Sequence, residues 1–357
     1  MTRFRMEVGL IIGGILLIFS GAAAQGIEGG IQLCLTVLIP SLFPFLTLSA
    51  WLSQQPIRPE PEKKRRGLFG RVFHLPSLCL PLFLLSLMGG YPSGARGLSL
   101  LQKRGTLSDS QCALMLCGCV NAGPPFVVTF VGLSLLHSST AGWILLGSGC
   151  LSSCLVFFLA ARFFVPTPPP APPPLPKEEA KPGGLFAAVQ QGSRSVLQLC
   201  ALVVLFSGLL SVCRAGGVWE WVDRLPFSVP GCRNSQVLSL LLEITTGCRS
   251  AAEGGCPLPV LAFFLSFGGL CVHLQVFSFF PVFPMRYSVY FLLRAMGALL
   301  SGLFCRIWLW LFPLSLPVSS LSPRVAFSAS VWPGACLFLF LLLMAAGEVR
   351  LPGGRTQ

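Results

Sequence analysis

The sequence predicts an all-α polytopic membrane protein of about eight transmembrane helices plus two re-entrant hairpins, arranged as an inverted repeat. Three observations carry this expectation. The 357 residues are 54% hydrophobic and 10% charged, with a mean hydropathy of +0.77, whereas soluble proteins carry about 25% charged residues. Apolar runs lie near 8–24, 31–52, 111–135, 142–163, 185–213, 257–283, 288–312 and 330–347, and a helix needs roughly 20 residues to cross a hydrocarbon core. A polar interruption also occurs twice, as "MGGYPSGARGLSLL" at 88–101 and "LEITTGCRSAAEGG" at 242–255. Both place a hydroxyl residue, a glycine, any residue and an arginine in a row: Ser93-Gly94-Ala95-Arg96 and Thr246-Gly247-Cys248-Arg249.

The first run follows a basic "MTRFR" and ends in small residues, as a signal peptide does. The repeated later spans favour an uncleaved first helix. The net charge of +13 does not point to nucleic acid, because the basic residues lie between spans rather than along one folded face. "RPEPEKKRRGLFGR" at 58–71, with Lys103, Arg104, Arg162, Lys177, Lys181, Arg350, Arg355 and the amino terminus, fits cytoplasmic flanks under the positive-inside rule. Both termini are then cytoplasmic, leaving Arg214, Arg224, Arg233 and Arg324 in external loops. Most of the fifteen cysteines lie in apolar runs, where cysteine acts as a small hydrophobic residue. Cys117-Gly118-Cys119 is too close for a CxxC site, so no metal or other cofactor is expected.

"VPTPPPAPPPLPKEEAKPGG" cannot form a spanning helix, since consecutive prolines favour an extended polyproline spacer. It divides the chain into a first half (1–164), a cytoplasmic linker (165–184) and a second half (185–357). The linker reads as a tether, with recognition by another protein as the alternative. Each half has hydrophobic helices, a short segment broken by the shared motif, and a long helix with a second polar break. The second breaks are "CGCVNAGPPF" at 117–126 and "SFGGLCVHLQVFS" at 266–278. Asn121 and His273 are 152 residues apart, against 153 for Gly94 and Gly247, which supports an internal repeat. If residues 75–90 enter from the cytoplasm and 236–249 from the outer face, the halves are inverted, a recurring plan of secondary transporters. Broken helices at membrane depth are tolerated where they are buried in protein or line a wet cavity.

Glycine and proline disfavour a helix interior by roughly 1 and 3 kcal/mol relative to alanine, so Gly89, Gly90, Pro92 and Gly94 predict a turn. Its amides and the Ser93 hydroxyl can face an anion at the next helix start; alternatively the glycines form a packing notch. Arg96 and Arg249 can each offer a planar fork to a carboxylate or phosphate, or extend to the membrane interface. Glu243 lies in "LLLEITTG", where an unpaired carboxylate is costly. It can pair with Arg249, hold a co-transported cation, carry a proton or serve a purely structural partner. Asn121, His273 and Gln275 supply uncharged donors and acceptors, and His273 can couple a proton or be structural. No catalytic or nucleotide-binding motif stands out, so no enzyme is expected.

"GGYPSGARGLSLL", "CGCVNAGPPFVVTFVG", "LLLEITTGCRSA" and "LSFGGLCVHLQVFS" together resemble the YlbJ-type sporulation integral membrane proteins, which carry the Gate, or nucleoside-recognition, domain. The resemblance covers most of the chain outside the proline linker. It implies a role in spore formation, a place in a membrane around the forespore, and passage of a small anionic solute such as dipicolinate. It also implies a fold similar to the concentrative nucleoside transporter core, which keeps a nucleoside-like solute in view. Carried over by position, the implied site is Tyr91, Ser93, Gly94, Asn121, Gly123, Glu243, Thr245, Thr246, Gly247, His273 and Gln275. Other sporulation membrane proteins are the protein partners it suggests. The rival readings are a non-transporting scaffold for spore envelope assembly and a membrane enzyme acting on a lipid-linked or nucleoside substrate.

Overall fold

The computed structural model describes residues 13–53, 73, 75–76, 79–163, 184–226 and 229–314. The expected span at 330–347, the proline linker apart from Gly184, and the basic loop at 58–71 lie outside them. The described chain is helical throughout, without a strand. Four helices are long and apolar enough to cross a membrane, or five if one bent pair is counted as a span. The expected count of eight is therefore not reached among the described residues.

At the amino-terminal end spans were expected at 8–24 and 31–52, the first of which begins outside the described residues. From Ser20 onward α1 (Ser20–Leu33), a π-helical turn π1 (Cys34–Leu38) and α2 (Ile39–Ser53) succeed one another without a loop. Pro40 and Pro44 lack the N–H that would continue the ladder, and a π turn beside prolines is a common origin of a sharp bend. The bend is about 60°. α1 and α2 pack along α7 (Leu185–Ala215) through small residues: a Cβ on Gly30 would meet Ser207 at 3.0 Å, and one on Gly192 would meet Thr47 at 2.5 Å. Small residues let helix backbones approach closely where lipid offers no hydrophobic drive for association.

Both repeated motifs fold as helical hairpins. In the first half α3 (Cys79–Gly89) turns directly into α4 (Tyr91–Lys103) at Gly90, whose φ of 78° is a conformation glycine adopts without steric cost. Pro92 falls in the first turn of α4, where its missing N–H would be unpaired anyway. In the second half α9 (Asn234–Leu242) turns into α10 (Ile244–Glu253) at Glu243. The two N-caps, Gly90 and Glu243, stand at the same register of the repeat as Gly94 and Gly247. A Cβ on Gly247 would lie 2.5 Å from the Leu240 Cα on the opposite arm. Gln236 donates to the Ser250 carbonyl and closes the hairpin base.

A broken helix comes after each hairpin. α5 (Asp109–Cys119), started by a Ser108–Gln111 capping box, breaks before π2 (Pro125–Leu135). In the second half α11 (Leu258–Phe267) breaks at Gly268 and Gly269 before α12 (Leu270–Phe279). Each broken helix is followed by a long helix, α6 (Ser139–Phe163) or α13 (Tyr287–Leu311). The order hairpin, broken helix, long helix thus occurs in both halves. A short α8 (Val218–Asp223) leads from α7 into the second hairpin.

Reading the cysteines as small hydrophobic residues misses one pair. Cys232 and Cys256 form a disulfide with a Cα–Cα distance of 5.0 Å, inside the usual range of about 4.4–6.8 Å. A tight turn at Gly231 (φ 79°) places Cys232, and Cys256 lies just after α10, so the bond joins the two ends of the second hairpin. The other described cysteines are free, most of them buried.

Candidate functional site

The two hairpin tips meet. One cavity is bordered by Gly90, Tyr91 and Pro92 from the first tip and by Glu243, Ile244 and Thr245 from the second. The broken helices complete its walls with Gly123 and Phe126 from one side and Cys271, Val272 and Gln275 from the other. Leu38 and Leu42 at the bend and Leu199 and Val203 of α7 close it with apolar surface. The bend at π1 therefore has a consequence: it turns Leu38 and Leu42 toward the tips. Room for solvent-sized molecules is about 40 Å³, enough for a few waters at about 10–15 Å³ each.

Glu243 is almost wholly buried, at 1% exposure. Its carboxylate accepts from the Thr245 amide at 2.8 Å and the Thr246 amide at 2.6 Å, so it caps α10. Burial of the charge is offset by two charge-assisted bonds and by the positive end of the helix. It does not pair with Arg249, correcting one of the roles its sequence setting allowed. Tyr91 donates its hydroxyl to the Leu265 carbonyl, tying the first tip to α11 of the second half. Gln275 donates to the Cys271 sulfur at 3.5 Å, leaving its carbonyl group as a further polar feature of the wall.

Five of the expected residues, Tyr91, Gly123, Glu243, Thr245 and Gln275, thus come together at the cavity. The rest stand behind or beside it. Ser93 donates to the Gly90 carbonyl at 2.8 Å and Asn121 donates to the Gly118 carbonyl while accepting from Ser153. Thr246 meets Ser207 at 3.3 Å. Gly94 and Gly247 face the neighbouring chain, Gly94 against the Cys119 carbonyl and Ser86, Gly247 against Leu240, which is the packing-notch role. His273 lies in a ring of Phe267, Phe277, Phe291 and Tyr290. Its Nδ1 is 3.2 Å from the Tyr290 hydroxyl, and its buried Nε2 has no hydrogen-bond partner among the described residues.

The arginines of the repeated motif do not line the cavity. Helix resumes at Tyr91 and Ile244, so Arg96 and Arg249 each lie five residues along an arm, about 7.5 Å from its start at 1.5 Å per residue. Arg96 is partly buried, over the Phe279 ring at 5.9 Å, and Arg249 is exposed. Neither offers its fork at the tip, and no lysine or arginine is among the described residues bordering the cavity.

Sequence reasoning missed Arg294. It is 5% exposed, in the amino-terminal third of α13, and donates to the carbonyls of Val120, Ser266 and Phe267. A lone arginine inside the apolar run "YFLLRAMGALL" was the available signal, because a charge at membrane depth is rare and usually has a task.

Similarity to known proteins fits this architecture. The chain is 23% identical over 319 residues, 81% of its length and 78% of the other, to the sporulation integral membrane protein YlbJ of Bacillus subtilis (strain 168). No family model matches the chain, and no solved structure does. The resemblance expected from the four motifs is thus met by a named relative, while its Gate-domain and nucleoside-transporter parts have no match of their own.

Proposed function

We propose that this chain is a membrane transporter acting in spore formation, which carries a small solute between its two hairpin tips by alternating access. The observation that carries the proposal is the meeting of two hairpins, one from each half, at a cavity bordered by both. Broken helices at membrane depth suit a solute path, and the similar protein is named for sporulation. On this reading the small cavity belongs to a closed state, since drug-sized ligands fill about 300–1,000 Å³, and the tips part to admit a solute. We assign the working membrane to one surrounding the forespore, with both termini cytoplasmic. We read the chain as a carrier rather than an enzyme.

The inverted arrangement has support at the two hairpin bases. Lys103 and Arg104, exposed at the first base, favour the cytoplasmic side. The disulfide at the second base favours an oxidising compartment. The hairpins then enter from opposite faces. Peptide mapping of protein alkylated without reductant is expected to leave Cys232 and Cys256 unmodified. After brief reduction, a membrane-impermeant maleimide added outside should label Cys232. Labelling only from the cytoplasmic side would overturn the inverted assignment.

The solute we favour is a small anion such as dipicolinate, drawn to the positive start of α4, with Arg96 and Arg249 drawing anions toward the protein from outside the cavity. A neutral nucleoside-like solute is the second reading, favoured by Thr245 and Gln275 beside Glu243 with no arginine in the described lining. Proteoliposomes containing the purified chain separate the two. Saturable uptake of labelled dipicolinate supports the first, uptake of labelled uridine alone supports the second, and uptake of neither by correctly inserted protein, with or without a pH gradient, would favour the scaffold reading.

A further inference from the structure

Arg294 has an arrangement unusual for a buried arginine. Its hydrogen-bond acceptors are main-chain carbonyls rather than a carboxylate, and they belong to both halves. Nη1 donates to Val120 at 2.6 Å, where α5 ends; Nε and Nη2 donate to Phe267, each at 3.2 Å, where α11 ends; and Nη2 also reaches Ser266. These are the two points at which the broken helices stop. The last carbonyls of a helix have no intrahelical donor and carry its partial negative charge. One guanidinium, with its planar set of donors, therefore satisfies two helix ends at once.

Each break leads directly into the cavity wall. Val120 continues through the first break to Gly123 and Phe126, and Phe267 continues through Gly268 and Gly269 to Cys271, Val272 and Gln275. We propose that Arg294 is a positioning residue for solute binding: it does not border the cavity, but it fixes the separation of the two walls by holding the helix ends behind them. The functional part of this inference rests on the cavity being the solute site; the structural part does not.

Two substitutions test it, measured in detergent and in proteoliposomes. Arg294→Lys keeps the charge without the fork, and Arg294→Gln removes the charge. Hydrogen exchange is expected to accelerate at least tenfold at both breaks together, over 120–126 and 267–273, in either variant that folds, while the middle of α6 stays protected. Solute KM should rise at least tenfold with a smaller change in maximal rate, and more for Arg294→Gln than for Arg294→Lys. Exchange that changes at one break or neither would overturn the joint role. Acceleration throughout the protein, or failure of both variants to fold, would show a general structural requirement and overturn positioning. If the wild type takes up no solute, the transport reading fails while the exchange result still decides whether Arg294 joins the two breaks; joined breaks with unchanged KM in an active transporter would overturn its part in binding.

Discussion

Gly94→Ala is expected to destabilise the protein by about 3 kcal/mol, the upper end of ordinary overpacking. The added Cβ would overlap the Cys119 carbonyl oxygen and come within 2.5 Å of the Ser86 Cβ. One of these belongs to a backbone held by α5 and the other to the opposite arm of the hairpin, so neither side can yield without moving a helix. Gly147 of α6 provides the contrast, because a Cβ there meets nothing within 4 Å. Gly147→Ala should be neutral or stabilising by up to about 1 kcal/mol, the difference in helix propensity. Thermal unfolding of both variants in one detergent makes the comparison. Equal melting temperatures would show that the first hairpin is not packed against α5 as described.

Glu243→Ala is expected to cost about 2–4 kcal/mol, since it leaves the Thr245 and Thr246 amides without their acceptor in a buried setting. The loss should be localised. Exchange of those two amides should rise well before that of α13, because the second hairpin tip loses its cap while the long helix keeps its packing. Glu243→Gln retains one carbonyl oxygen as an acceptor and should lose roughly half as much. If transport fails in Glu243→Gln while the tip exchanges at the wild-type rate, the carboxylate acts in transport beyond its cap. Unchanged stability in Glu243→Ala would remove the capping role.

These two positions also mark what could be read in advance. The turn at Gly90 was legible because glycine and proline break helices for local reasons. The second hairpin was legible because the same short motif returned at a nearly constant offset. The placement of the arginines was not: sequence put them at the turns, but each helix resumes before its arginine and carries it down an arm. Nor was the role of Glu243 settled, since an apolar neighbourhood demands a partner for a carboxylate without saying which. The partner proved to be the two amides next along the chain. Within the described residues, proline and a π turn bend the amino-terminal helical run from α1 into α2 without ending it. The cysteine pair escaped notice for a related reason: 24 residues separate Cys232 from Cys256, and the hairpin between them brings them together.

The apolar helical class and the helix breaks could be read from the residues alone, because hydrophobicity and turn chemistry are encoded locally. Tertiary structure alone decided which interruptions meet around a cavity and which serve as packing notches, and it alone revealed Arg294 joining Val120 to Ser266 and Phe267. The cavity and the Arg294–Val120 bond depend on contacts between residues more than a hundred positions apart, and the packing notches on contacts inside each half. The free energy of such a contact belongs to the packed pair of helices, and neither helix carries its signature alone.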